Sequence, residues 1–452
     1  MNKIIRLDQL INEHGIYNDY SLRSYLSEIE KYYNIVEEID KFKNLVNFST
    51  NNNKNFHNWF NYREGFSGVL VDELLRRYPL DEKQYVLDPF SGSGTTMVAS
   101  SLKGIPSLGI DINPMSVDLA NAKLINYSFE DISEIVNLIQ KLNLIELAAV
   151  DISNYQDIAK YFERQKLEDL LGIKEFVCSI ENENVRDLFW AGYLSMIIEA
   201  SDRKRDGNGL KTSYSKIVNL KNDFIFKIEC MLADITNAQK IEKASAKAFF
   251  GSAREGRTVL HKKYPIGSII FSPPYPNSFD YFESYKLELR LGDYVKNLNR
   301  NAMKEYREKA VTSFISSPQL RQSPELKMVD RLASEIESAI PEKEQRTGKK
   351  DSRTRKVPNM IRGYFSDMKD VLEECFALLD LGGTCSIVVD QSVYLGKIVP
   401  TDLLLANIGE SLGFRIEKIV ICREAKTSGQ QYQLFPYLKG ALRESIVILK
   451  KD

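Results

Sequence analysis

Tyr85-Val86-Leu87-Asp88-Pro89-Phe90-Ser91-Gly92-Ser93-Gly94-Thr95-Thr96 is the stretch that decides the fold. Tyr85 to Leu87 reads as a short buried strand, and the proline and glycines behind it force a tight turn into a helix from Met97 to Leu102. Gly104 ends that helix, Ser107-Leu108-Gly109-Ile110 makes a second strand, and Asp111 stands at its carboxyl end. This is the opening of a doubly wound sheet: glycines let a ligand approach the backbone, and an acid at the tip of the second strand accepts ribose hydroxyls. A glycine turn at a helix N-terminus can also hold phosphate. The spacing is not that of a P-loop, because no Gly-Lys-Ser/Thr follows, and it is not the GxGxxG of dinucleotide binders.

A second stretch carries the chemistry. The apolar run Ile266-Gly267-Ser268-Ile269-Ile270-Phe271 reads as a buried strand, and Ser272-Pro273-Pro274-Tyr275 follows it directly. Two prolines cannot continue a ladder, so the chain leaves the sheet at Ser272 in a rigid extended form. That geometry offers a hydroxyl, a bare carbonyl and an aromatic ring, the parts needed to hold a planar, amino-bearing base.

Ser272-Pro273-Pro274-Tyr275 resembles the catalytic motif of amino-directed DNA methyltransferases, in the form most often found in N4-cytosine enzymes. Asp88-Pro89-Phe90-Ser91-Gly92-Ser93-Gly94-Thr95-Thr96 looks like the cofactor motif of the same enzymes, with Asp111 in the ribose position. The resemblance implies an α/β, Rossmann-like class I methyltransferase sheet with an antiparallel final hairpin, interrupted by large helical insertions. It implies S-adenosylmethionine as cofactor, held by Tyr62, Asp88, Pro89, Phe90, Gly92, Gly94, Thr95, Thr96, Asp111, Ile112 and Ser252. Tyr62 enters because Phe56 to Ser67 resembles the segment that closes over the methionine end of the cofactor. Ser252 stands where such enzymes commonly carry Asp, although a hydroxyl can still pair with the adenine amino group. Ser272, Pro273, Pro274 and Tyr275 are the expected catalytic residues: Ser272 and the Pro273 carbonyl accept the amine hydrogens, and Tyr275 stacks on the base. Here the cofactor motif precedes the catalytic motif, whereas many Ser-Pro-Pro-Tyr enzymes have the reverse order.

The rest of the chain is apportioned around these motifs. Residues 1–55 read as a helical cap, and 56–125, 247–292 and 359–452 as the catalytic core. Residues 126–246 read as a helical insertion with a role in target recognition, and 293–358 as a second insertion. Long helical patterns run through Ile132–Leu147, Tyr155–Leu171, Val185–Ala200 and Ser215–Ala238, with no strand-like alternation among them. Two basic stretches are candidates for DNA contact. One is the loop around Arg203, Lys204 and Arg205. The other is the run from Pro341 to Lys356, with seven Lys/Arg against three acids, which includes Lys349, Lys350, Arg353 and Arg355 and should be mobile when unliganded. The core resumes near its end with a strand from Thr384 to Val389, tipped by Asp390, and strands Ile416–Cys422 and Ser445–Lys450.

Composition sets the outer bounds. The 452 residues, 43% hydrophobic and 27% charged, are ordinary for a globular protein, and a net charge of −1 confines any DNA face to a local patch. Five scattered cysteines without a CxxC pair, and three histidines, give no expectation of a metal and fit a reducing, cytoplasmic setting. No membrane span or signal peptide is expected. The expected reaction is methyl transfer to the exocyclic amine of a base flipped from double-stranded DNA, cytosine N4 first and adenine N6 second. Its usual setting is host protection beside a cognate restriction endonuclease. An RNA amino-methyltransferase and a catalytically inactive DNA-binding protein are the other readings. A C5-cytosine enzyme would need a Pro-Cys dipeptide, and a zinc deaminase a Pro-Cys-x-x-Cys, and neither is present.

Overall fold

A computed structural model describes residues 4–62, 65–206, 209–238, 243–277, 279–299, 301–317 and 325–452. Arg63 and Glu64 of the aromatic segment, Gly207 and Asn208 of the basic loop, and Ser278 lie outside the described residues.

Among the described residues there are twelve strands: β1 (Ile35–Glu37), β2 (Tyr85–Asp88), β3 (Ser107–Asp111), β4 (Arg203–Asp206), β5 (Gly209–Thr212), β6 (Ala246–Phe250), β7 (Ile266–Phe271), β8 (Leu379–Asp390), β9 (Ser392–Tyr394), β10 (Lys397–Val399), β11 (Arg415–Glu424) and β12 (Arg443–Lys450). Eight of them form one sheet in the order β1-β11-β12-β8-β7-β2-β3-β6. The half β8-β7-β2-β3-β6 is parallel throughout, and β12 runs antiparallel to both β8 and β11. This is the Rossmann-like methyltransferase sheet with its antiparallel end hairpin. The strand order reverses at β2 and β7, and ligands of open α/β sheets bind outside the carboxyl ends at such a point. Both motifs sit there, one after β2 and one after β7.

Alternation along the strands explains why the sheet is covered on both faces. Leu87, Ile269, Phe271, Ile387 and Val389 share one buried cluster with the helices Val357–Leu378 and Thr401–Ser411. Val86, Ile270 and Val388, their neighbours in sequence, face the opposite cluster with helix Gly68–Arg77. The insertion helices Phe129–Leu144, Arg164–Cys178, Glu183–Ala200 and Leu220–Ala238 bury their apolar sides in a third cluster, shared with Met97, Met115 and Tyr285 beside the site.

Several expectations need correction. The N-terminal cap supplies not only the helices Leu7–His14 and Tyr20–Tyr32 but also β1, which extends the sheet beside β11. Three residues are too few to show a period. Arg203–Asp206 and Gly209–Thr212 pair as an antiparallel hairpin, β4 with β5, and the sequence Asp-Gly-Asn-Gly is a hairpin signal. A second hairpin, β9 with β10, turns at Leu395 and Gly396, both at positive φ (53° and 77°). Leu-Gly is not the usual dipeptide for a turn of that kind, so the sequence carries little warning of it. The basic run is ordered: helix Ile340–Thr347 and a short helical turn at Thr354–Lys356. Asp351 binds Lys343 at 2.5 Å and Glu344 binds Arg355 at 2.6 Å, so the acids in the run fold it instead of leaving it mobile.

Candidate active site

The turn after β2 is built on a buried acid. Asp88 is 2% exposed, and its carboxylate accepts the Phe90 N–H at 3.0 Å and the Thr96 hydroxyl at 2.6 Å. Burial pushes its pKa up to about 7 against those two hydrogen bonds. Asp88 and Thr96 thus lie beneath the turn and hold its shape. Gly94, at φ +88°, delivers the chain into helix Thr95–Ser101.

Gly92 is required twice over. Its φ is +48°, and a Cβ there would lie 2.9 Å from Cε1 of the Tyr62 ring. Tyr62 is itself fixed: its ring stacks on Tyr285 at 5.2 Å and 14°, and its hydroxyl accepts from Ser116 Oγ at 3.3 Å. The Arg205 guanidinium lies 4.5 Å from the Tyr285 ring centre and pairs with the buried Glu288 carboxylate. Arg205 is therefore a prop for the aromatic stack, committed to Glu288, and the expectation that it contacts DNA is withdrawn.

Asp111 closes the far side of the turn. One carboxylate oxygen accepts the Gly92 N–H at 2.7 Å and the other the Asn113 N–H at 2.8 Å. Burial raises its pKa to about 6, with both N–H bonds opposing the shift. Each oxygen keeps a lone pair for a further donor.

A cavity of about 750 Å³, part of it open solvent, joins the two motifs. From the cofactor set it is lined by Tyr62, Pro89, Phe90, Gly92, Asp111, Ile112 and Ser252, and from the catalytic set by Ser272 and Pro274. Asp88, Gly94, Thr95 and Thr96 support the turn without lining the cavity, and Pro273 is buried. Tyr275 is also off the lining: it packs partly buried against the core, with its hydroxyl 3.1 Å from Ser272 Oγ and 3.4 Å from a Glu444 carboxylate oxygen.

One wall has no motif behind it. Lys309, Ala310, Val311, Ser313 and Phe314, from the second insertion, complete the cavity. Asp367 fixes this segment by accepting the Thr312 N–H at 2.9 Å and hydroxyl at 2.7 Å, and Arg254 joins it at 3.0 Å. Ser252 donates its hydroxyl to the Lys309 carbonyl at 2.7 Å and accepts the Arg254 N–H at 3.4 Å, so it has no proton left to give to another group. A short segment between helices, without a recurring pattern, leaves no trace that periodicity can detect.

Beside the mouth, β5 packs against helix Tyr281–Ser284, whose Tyr281 and Phe282 flank the cavity. An open cleft adjoins it, lined by Asn61, Arg203, Lys204, Tyr214 and Lys216 among others. Lys204, Tyr214 and Lys216 are exposed there, and Arg203 is half-buried over the Tyr161 ring. Lys349, Lys350 and Arg353 are exposed on the ordered basic run, whereas Arg355 is paired with Glu344. Among the described residues no group of His, Cys, Asp or Glu is arranged to hold a metal, and no helix is long and apolar enough to cross a membrane.

Comparison with known proteins agrees with this geometry. The sequence model of the DNA methylase family N6_N4_Mtase matches residues 16–122, which include Tyr62, the whole turn after β2, Asp111 and Ile112. The Type II methyltransferase M.AvaI of Nostoc sp. is 28% identical over 96% of this chain and 96% of its own. The Type II methyltransferase M.BsoBI of Geobacillus stearothermophilus is 27% identical over 93% of this chain and 91% of its own. Among solved structures, TrmN from Thermus thermophilus is a distant likeness, with 12% identity and a TM-score of 0.29 over 85% of this chain and 49% of that one. The glycine turn and Asp111 open on the same cavity as Ser272 and Pro274, and the family model and the Type II relatives support an amino-directed DNA methyltransferase of the N4/N6 type with S-adenosylmethionine as methyl donor.

Proposed function

We propose that the protein methylates N4 of cytosine in a specific site of double-stranded DNA, as the modification partner of a cognate restriction endonuclease. The observation that carries the chemistry is the single cavity that exposes Ser272 and Pro274 opposite Gly92, Asp111 and Tyr62. The cofactor residues fit their group: Gly92 lets the Tyr62 ring sit directly against the turn, Asp111 has lone pairs for two ribose hydroxyls, and Tyr62 provides a fixed apolar ring. When bound, the cofactor supplies an electrophilic methyl group.

The chain's own residues hold the amine. A duplex hides the exocyclic nitrogen, so the base must leave the stack and enter the cavity. Ser272 Oγ and the Pro273 carbonyl accept the amine hydrogens and turn the nitrogen lone pair toward the methyl group, which is catalysis by positioning. No covalent enzyme intermediate is needed. The Ser-Pro-Pro-Tyr form supports the cytosine reading, and the Type II relatives support the restriction–modification setting.

DNA is held, in this reading, across the mouth by the β4–β5 hairpin and its cleft. Lys204 and Lys216 are exposed there next to Asn61, whose chain neighbour Tyr62 lines the cavity. Lys349, Lys350 and Arg353 are the other phosphate candidates. Digesting DNA treated with the purified protein and cofactor to nucleosides, followed by mass spectrometry, tests the reading: N4-methylcytosine supports it, and N6-methyladenine would move the target to adenine.

A further inference from the structure

Methylating a neutral amine leaves one proton too many on its nitrogen, and a serine hydroxyl is far too weak a base to keep it. We infer that Ser272, Tyr275 and Glu444 form a proton exit that ends on the Glu444 carboxylate; this rests on the reading of Ser272 as the residue that holds the amine. Ser272 Oγ lies 3.1 Å from Tyr275 Oη, and Tyr275 Oη lies 3.4 Å from Glu444 Oε1. Both are longer than the optimum of about 2.7–2.8 Å for hydroxyls, and hydrogen bonds of this kind tighten as substrate binds.

The sheet explains why this acid is there. Phe271, the last residue of β7, pairs with Ile387 of β8, and three residues further along β8 Asp390 pairs with Glu444, at the start of β12. Because β12 runs antiparallel, it brings an acid from the far end of the chain to the carboxyl edge where Ser272 emerges. Glu444 is 3% exposed, and Arg423 donates to its other oxygen, Oε2. Asp390 is the alternative acceptor. Its pKa is held well above the usual carboxylate range by burial and by Glu444, and its buried Oδ1 has no hydrogen-bond partner. Glu444, which receives the Arg423 hydrogen bond and faces the Tyr275 hydroxyl, is therefore the acceptor placed on the path, and Asp390 stands beside it.

The step balances. As the nitrogen lone pair bonds the methyl carbon and the carbon–sulfur bond breaks with its electrons on sulfur, an amine proton passes to Ser272 Oγ. The Ser272 proton passes to Tyr275 Oη, and the Tyr275 proton to Glu444, which ends neutral. Arg423 is 38% exposed, which puts the end of the path near solvent. Glu444 touches no substrate and acts only through Tyr275. Among the described residues, the charged and titratable groups facing the path include Asp390, Arg423, Tyr281 and Cys422.

The test compares wild type, Tyr275→Phe, Glu444→Gln and the double variant by single-turnover methylation at saturating cofactor, with melting temperature and cofactor affinity measured alongside. Each single change should lower the rate by about 10²–10⁴-fold, and the double variant should be no slower than the worse single. Cofactor affinity should be unchanged, and the fall of the wild-type rate at acid pH should vanish in Glu444→Gln. In the cofactor-free protein, the Tyr275 phenol should titrate at lower pH in Glu444→Gln than in wild type. A full rate in Tyr275→Phe, which keeps the ring, overturns the relay whatever Glu444→Gln does to folding. Losses that multiply in the double variant also overturn it. If wild type yields no methylated amine at all, the functional reading fails instead.

Discussion

Asp111 and Gly92 are joined by a hydrogen bond of 2.7 Å, backbone N–H to carboxylate, which ties the tip of β3 to the glycine turn after β2. The acid that should take the ribose therefore also sets the shape of the turn that should face the rest of the cofactor. Charge-assisted hydrogen bonds of this kind contribute ~1.5–3 kcal/mol each. Asp111→Ala should weaken S-adenosylmethionine binding by roughly tenfold or more, read by calorimetry, and unchanged affinity would remove Asp111 from the site.

The same carboxyl predicts a pH dependence. Its pKa in the free protein is raised to about 6, and the ionised form is the better acceptor of hydroxyl protons. Cofactor affinity should be level above that pH and decline as pH falls through it. The effect on stability has the opposite sense. A raised carboxyl pKa favours the folded state when protonated, so Asp111 and Asp88 stabilise the free protein most below the usual carboxylate value. That contribution is lost as pH rises through about 6 to 7.

Gly92→Ala should damage the turn directly. The αL conformation costs a residue with a Cβ about 1–2 kcal/mol, and the new methyl must also displace the Tyr62 ring. A lower melting temperature together with weaker cofactor binding is expected. A variant that binds normally would show that the ring and turn move apart freely.

Arg443 anchors the N-terminal segment to the sheet. It is 1% exposed and bonds both oxygens of Glu30, at 2.8 and 2.9 Å, and Asp402 at 2.6 Å. Breaking a buried pair from one side leaves uncompensated charge and costs ~3–5 kcal/mol. Denaturant titration of Arg443→Ala should show a loss of that size, with proteolysis entering first near Tyr20–Tyr32. A loss below about 1 kcal/mol, the range of exposed pairs, would mean that the cap is held by its apolar packing and its other hydrogen bonds, the β1–β11 ladder among them.

For DNA, Lys204→Gln with Lys216→Gln should reduce the slope of log affinity against log salt by ~0.9 for each phosphate that is no longer neutralised. Lys349→Gln with Lys350→Gln should reduce it less. The reverse order would move the DNA face to the basic run.

What the sequence revealed was local. The turn from Asp88 to Thr96, Asp111 and Ser272–Tyr275 are short runs whose residue types dictate their own geometry, and each of them contributes to the lining of one cavity. What it concealed depends on partners far along the chain. Arg205 reads as a surface charge until Glu288, 83 residues away, claims it. Ser252 finds its acceptor 57 residues away at Lys309, in a segment without a motif. Net charge misled at Pro341–Lys356, because the pairing of Lys343 with Asp351 and Arg355 with Glu344 decides its order, not its composition.

The most direct test of the central claim is the identity of the modified nucleoside. Duplex DNA incubated with the protein and S-adenosylmethionine, digested and subjected to mass spectrometry, should yield N4-methylcytosine, and Ser272→Ala should abolish it while cofactor binding persists. DNA that carries no methylated exocyclic amine after incubation with folded, cofactor-binding protein would contradict the account.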